Sequence, residues 1–389
     1  MGYKIYLKKN EEKRIVAGHS WVYANEVARI DGKDKNGSLA EVFAHDGRFI
    51  GKGYINHASK ILVRIFIRND GVDDENFYLA ALKKADDYRR RLGYENCYRM
   101  VFAEADNLPA LIVDKYGDYL VMQCLSLGID MRKGLICECL VKLFKPKGIY
   151  ERSDVSVRKK EGLPEVKGLL YGDVPDYCEI CENGIKMLAD VKNGQKTGYF
   201  LDQKENRFAV RKYCAGAESV LDCFCNSGGF SLNAAKVAKN VIACDISPLA
   251  LKNVSDNARL NGIENITPLQ GDVFEILRGF RREKRLFDTV ILDPPAFCKT
   301  ADEVKDAYRG YKDINLTAMK IIKSGGFLIT CSCSHYMTMP LFEKMLIETA
   351  RESGRRVRSA EVKTQAPDHP SLLCAEETQY LKFFVLQID

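Results

Sequence analysis

The sequence predicts an α/β protein. Its C-terminal part reads as a doubly wound parallel sheet, preceded by a small N-terminal β domain and a mixed α/β middle region. Three observations carry this reading. From about residue 188, short apolar runs alternate with helical stretches: "SVLDCF" (219–224), "NVIACD" (240–245), "ITPLQ", "FDTVILD" (287–293) and "GGFLIT" (325–330). Residues 1–70 instead alternate apolar and polar side chains, as in "SLAEVFAHDGRFIGKGYINHASKILVRIFIR", with turns at Asp46-Gly47 and Asn56–Ser59. The length, 389 residues, exceeds one ordinary domain. The divisions expected are 1–70, 71–187 and 188–389.

The middle region opens with a helix in "DDENFYLAALKKADDYRRRLG". Phe77, Leu79, Leu82 and Tyr88 recur there at helical spacing, and Asp73 or Asp74 can cap it. "PALIVDKYGDYLVMQC" and "KGIYERS" read as strands, with a helix in "IDMRKGLICECLVKLF" between them. In the C-terminal part a Gly-containing turn and a helix from Phe230 follow the first strand. Ser247, with Pro248 behind it, opens the next helix. "TQYLKFFVLQI" is a last strand, expected as an antiparallel edge.

Composition is that of a soluble globular protein, 46% hydrophobic and 29% charged. No run of about 18 apolar residues occurs, so no membrane span is expected. The start, "MGYKIYLKKNEEKR", lacks the apolar core of a signal peptide, so a cytoplasmic location is expected. The 14 cysteines are then expected as thiols, most of them small buried hydrophobes. Cys178 and Cys181 form a lone CxxC with no second pair and no HxxxH, so no metal site is expected. Of the net charge of +6, residues 1–70 supply most, with 13 Lys/Arg against 8 Asp/Glu. A basic terminal domain suits a polyanionic partner such as nucleic acid; a solvated basic face is the competing reading.

In doubly wound sheets the ligand lies beyond the C-terminal strand ends, near the point where strand order reverses. Those ends carry Asp222, Phe224, Gly228 and Gly229 after the first strand, Asp245 after the second, Asp272 after the third and Asp293-Pro294-Pro295 after the fourth. GxGxxG is absent. The glycine pair lets backbone approach a ligand. Asp245, about 20 residues downstream, is placed to accept ribose hydroxyls, and Asp272 to accept an adenine amino group. Acids without a phosphate-binding lysine loop favour a cationic adenosyl ligand, S-adenosylmethionine, over a polyphosphate. Helix capping is the competing reading of these acids.

"GYFLDQKENR" (198–207), "VLDCFCNSGGFSLNAA" (220–235), "ILDPPAF" (291–297), "YRGYKDINLTAMKII" (308–322), "TCSCS" (330–334) and "DHP" (368–370) resemble the bacterial ribosomal RNA large subunit methyltransferase I family. "RIVAGHSWVYANEV" and "GKGYINHASKILVRI" look like that family's PUA domain, an RNA-binding β barrel. The resemblance covers nearly the whole chain. It implies formation of 5-methylcytosine in 23S ribosomal RNA, with S-adenosylmethionine as methyl donor. The alternatives are an RNA guanine methyltransferase, and a non-catalytic RNA-binding or ribosome-assembly factor. No sequence feature sets the oligomeric state, for which a homodimer is entertained.

Cytosine C5 is a poor nucleophile. Attack of a thiolate on C6 makes C5 enamine-like, and an acid at N3 and N4 stabilises the charge that develops. Cys298, Cys331 and Cys333 lie near strand ends. If the strand through "FLIT" continues, alternation sends Cys331 and Cys333 to one side, so spacing does not choose between them. The resemblance does: its nucleophile is the Cys of a Cys-Ser pair, here Cys333-Ser334, which leaves Cys331 as a packing neighbour. Cys298 stands two residues beyond the Pro-Cys position of other RNA cytosine-C5 enzymes and reads as an incidental loop thiol. Asp293 is the candidate for the N3/N4 contact, stiffened by its two prolines, and also borders the cofactor.

Gln203 and Asp202 in "LDQ" resemble cofactor-bordering residues, with helix capping as the alternative. Lys196 and Arg207 are read as phosphate contacts or solvated charges. His369 is read as an active-site neighbour or a satisfied loop histidine. Trp21, the only tryptophan, is expected in the core of the small β domain rather than stacked on a base.

Overall fold

The computed structural model describes residues 2–69 and 71–389. The chain forms two compact units. One comprises Met1–Ile180, Ala189–Leu201 and Pro367–Thr378; the other comprises Cys181–Leu188, Asp202–Ala366 and Gln379–Asp389. Among the described residues, no helix is long and apolar enough to cross a membrane.

The first unit holds a six-stranded sheet in the order Trp21–Tyr23, Ile61–Ile67, Phe49–Ile55, Leu39–Phe43, Tyr3–Leu7, Val27–Asp31. The alternating residues Ile5, Leu7, Val42, Val63 and Ile65 form its core. At Gly53 a Cβ would stand 2.2 Å from the Arg64 carbonyl oxygen, so the neighbouring strand is approached as only glycine allows. Trp21 is outside that core, which corrects the expectation. It is half-buried, its Nε1–H donates to Glu104 at 2.7 Å, and the Arg64 guanidinium lies 5.5 Å from its ring. An indole N–H needs an acceptor, and a fully apolar core offers none.

The same unit carries a five-stranded sheet, in the order Val166–Gly172, Gly148–Ser153, Tyr119–Cys124, Leu111–Tyr116, Cys97–Phe102. The helix Glu75–Arg91 packs Tyr78 and Leu82 into the core of this sheet, and Asp74 caps it by accepting the Phe77 N–H at 2.9 Å. The single helix expected around residues 129–144 is two, Leu127–Met131 and Lys133–Phe144. Arg132 at the break is turned to Asp73 (2.6 Å) and to the face of Tyr54 (4.0 Å). Residues 177–182 and 185–190 form a separate two-stranded sheet.

The second unit contains the doubly wound sheet. Its strands, numbered within this unit, are β1 (Val220–Cys223), β2 (Val241–Asp245), β3 (Ile266–Gln270), β4 (Phe287–Leu292), β5 (Ile322–Ser332), β6 (Val357–Lys363) and β7 (Lys382–Ile388). The order is β3-β2-β1-β4-β5-β7-β6. β1 to β5 run parallel, and β7 is antiparallel to both of its neighbours. The last strand is therefore antiparallel as expected but is not the edge. β6, which the sequence reading missed, covers it.

Helices α1 (Lys204–Cys214), α2 (Gly229–Ala235), α3 (Pro248–Leu260), α4 (Val273–Arg282), α5 (Val304–Lys320) and α6 (Met339–Ser353) flank the sheet. Alternate strand residues feed two cores. Leu221, Leu292 and Leu328 pack with α4, α5 and α6; Val220, Ile291 and Ile329 pack with α1 and α2. Burial on both faces is what makes these strands near-continuous apolar runs.

Candidate active site

Strand order reverses between β1 and β4, so their C-terminal ends flank the crevice where such sheets bind ligands. The turn after β1 has an unusual backbone. Phe224 (φ +62°), Asn226 (φ +49°) and Gly228 (φ +86°) are all left-handed. For Phe224 that conformation costs roughly 1–2 kcal/mol, whereas asparagine adopts it more readily. Gly228 needs to be glycine: a Cβ there would also press on Val254 at 3.1 Å. Gly229 begins α2 directly behind it.

The acids at the strand ends differ in state. Asp222 is fully buried; Oδ2 accepts the Ser231 hydroxyl at 2.5 Å, and Oδ1 has no hydrogen-bond partner. Burial, reinforced by the nearby charges of Asp293 and Asp245, pushes its carboxyl up to about 7. Asp245 accepts the backbone N–H of Asn226 (3.0 Å) on one oxygen and of Ser247 (2.9 Å) on the other, which shapes the turn and leaves lone pairs for ligand hydroxyls. Asp272 is exposed and caps α4 through the Phe274 N–H at 2.7 Å. Asp293 Oδ1 accepts from Gln203 Nε2 at 2.9 Å. Gln203 is buried and does not cap α1; its carbonyl accepts from Asn206 at 2.7 Å. Asp202, also buried, accepts the Tyr380 hydroxyl at 2.6 Å.

These donors and acceptors suit a cationic ligand. The buried Asp222 carboxyl has one oxygen without a partner, which a positive ligand group would satisfy while drawing off its proton, and half-buried carboxylates stand at 245 and 293.

β5 ends at Ser332, so the alternation that would have placed both thiols alike stops between them. Cys331 is fully buried in the core beside Ile291, Ile329 and Phe383, and burial next to Asp293 holds its thiol far above the ordinary range. Cys333 stands beyond the strand and is half-buried. Its neighbours are tied down on both sides. The Ser332 hydroxyl donates to Tyr311 Oη at 3.0 Å, and Ser334 Oγ shares a 2.9 Å hydrogen bond with the same hydroxyl. Tyr311, on α5, is fully buried against Phe297 and Phe342, and burial pushes its hydroxyl up to about 12. Lys382 Nζ donates to the Ser334 carbonyl at 2.6 Å. Cys298 is buried, and its N–H points to Ser334 Oγ at 3.4 Å.

The other candidates have partners of their own. Arg207 is neither solvated nor open to phosphate, because Glu182 holds it in a buried two-pronged ion pair, 2.6 Å for each bond. Lys196 is exposed, with its ammonium 4.5 Å from the Phe200 ring. His369 belongs to the first unit, buried, with Nδ1 2.8 Å from Asp368. Sequence reasoning missed Tyr311 and Lys382. Lys382 had left a signal, one cation inside the apolar run "YLKFFVL".

The sheet order and the acids around β1 define a class, the S-adenosylmethionine-dependent methyltransferases, and residues 163–383 match the family of that description. Residues 5–68 match the PUA-like domain family. The chain belongs to the ribosomal RNA large subunit methyltransferase I family. Two members show the distance: the Aeromonas salmonicida protein is 41% identical over 98% of each chain, and the Shewanella amazonensis protein 41% over all of each. Among solved structures, a Streptococcus mutans protein described as a SAM-dependent methyltransferase superposes over the whole of both chains, with a TM-score of 0.84 at 20% identity. It shares the fold.

Proposed function

We propose that this methyltransferase forms 5-methylcytosine in 23S ribosomal RNA, with Cys333 as the nucleophile and Asp293 as the acid that meets the base. The relatives are named for large-subunit ribosomal RNA, which supports the substrate class. The single observation that carries the chemistry is the contrast within TCSCS: Cys331 is sealed in the core, whereas Cys333 is half-buried on a pinned turn beyond β5.

The residues then divide the work. The turn 224–228 and the acids Asp222, Asp245 and Asp272 bind the cofactor, and Gln203 holds Asp293 in place. S-adenosylmethionine supplies an electrophilic methyl group. The Cys333 sulfur bonds to C6, and the displaced electron pair lets C5 take that methyl. Asp293 contacts N3 and N4 as charge grows on the ring. The C5 proton then leaves to solvent, the C6–S bond breaks and the thiolate returns. The base must leave its stack to reach such a site, which costs least in an RNA loop. Residues 1–70 serve as the RNA-binding head, 71–187 as the middle domain and 188–389 as the catalytic domain.

The test is Cys333→Ala. Methyl transfer to 23S RNA should fall at least about a thousandfold, with S-adenosylmethionine binding retained in calorimetry. An unaffected rate would remove the covalent reading. Nucleoside mass spectrometry of the product settles the base, and a methylguanosine product would replace cytosine.

A further inference from the structure

Lys382 is buried at the start of β7, directly opposite Ser332 at the end of β5. Its ammonium donates to two carbonyls, Ser334 at 2.6 Å and Tyr380 at 2.7 Å, which use two of its three N–H groups. No carboxylate among the described residues pairs with it. The titratable groups whose charge it feels are two thiols, Cys333 and Cys298. Tyr311, which reaches the same turn from α5, stays protonated. A buried cation without an acid partner is costly, and a fold retains one where the charge acts. Cys298 is sealed in, so Cys333 is the thiol of the two that a substrate can meet.

We propose that Lys382 is the positioning residue that holds Cys333 as a thiolate, a role that rests on Cys333 being the nucleophile. The Cys333 S–H bond breaks and its proton passes to solvent, while Lys382 remains an ammonium. The S–H electron pair stays on sulfur, where the charge of that ammonium favours it. The two carbonyls keep that ammonium beside the turn while the sulfur is consumed and regenerated. Burial lowers the Lys382 amine to about 8, with the thiols opposing the shift. The amine therefore stays mostly protonated at pH 7, and its charge favours the thiolate over the thiol.

The experiment follows alkylation of Cys333 by iodoacetamide across pH, read by peptide mass spectrometry on the full chain. In the unmodified protein the inflection should lie at least about one unit below an ordinary thiol, and Lys382→Met should raise it by about one unit or more. The same variant should lose about tenfold in kcat at pH 7, with KM for RNA little changed. An ordinary inflection in the unmodified protein, or one that Lys382→Met does not move, overturns the proposal. If Lys382→Met fails to fold, the unmodified protein's inflection alone decides. Full activity of Cys333→Ala would instead remove the nucleophile reading, and the Cys333 inflection would still report what Lys382 does to the thiol.

Discussion

Asp222 takes up its proton close to neutral pH because burial disfavours its charge. Its carboxyl rises from 3.8 to about 7 on folding. The folded protein therefore keeps a proton that the unfolded chain releases above about 4. The sign follows: this group's contribution to stability is fully present below the unfolded value and is lost as pH rises towards 7. The loss is roughly 4 kcal/mol, by the free energy of a shift of this size. Asp222→Asn should flatten the fall in melting temperature between pH 5 and 8, as scanning calorimetry would show. A cationic cofactor beside Asp222 should reverse the preference and expel the proton. S-adenosylmethionine should then bind more tightly at pH 8 than at pH 6, and Asp222→Asn should remove most of that difference. At this scale the acids at 222, 245, 272 and 293 were legible, because strand ends in an alternating pattern are easy to find. Their states were not, since burial and backbone partners come from distant segments. Asp272 proves an exposed cap, while Asp222 is sealed.

At the scale of the element, the proposed site rests on the turn after β1 and the end of β5. Gly228→Ala would force a side chain into a left-handed position against Val254. It should cost about 1–2 kcal/mol from the backbone alone and weaken S-adenosylmethionine binding, measurable by denaturant melts and calorimetry on one sample. Parallel strands and cap residues were readable from sequence: Asp74 and Ser247 cap as their positions suggested. β6 escaped because "VRSAEVK" is largely exposed and carries four charged or hydroxyl side chains in seven residues. A covered strand announces itself by apolar content; an edge strand does not. The separate fates of Cys331 and Cys333 were illegible for a related reason. They depend on β5 stopping at Ser332, and strand ends are set by pairing partners, here β7.

For the whole molecule, the proposed role of residues 1–70 as the RNA-binding head predicts, from their excess positive charge, RNA binding that weakens with salt. Lys33, Lys35 and Lys60 are exposed there. Changing all three to Glu should weaken binding to 23S RNA fragments similarly for any sequence. It should also lower the salt slope by about one for each phosphate no longer neutralised; filter binding at several salt concentrations would show both. An unchanged slope would place the RNA-binding cations elsewhere. The order of the chain has a consequence for synthesis. The first unit includes Pro367–Thr378, where the His19 ring meets Glu377 at 2.7 Å and the Asp368 carbonyl accepts from Arg89 at 2.8 Å. These partners are made long after the rest of that unit, so the N-terminal unit cannot complete itself while the ribosome is still translating the middle of the message. A release-stalled chain ending before residue 367 would carry an unfinished head, however much of the catalytic sheet had already emerged.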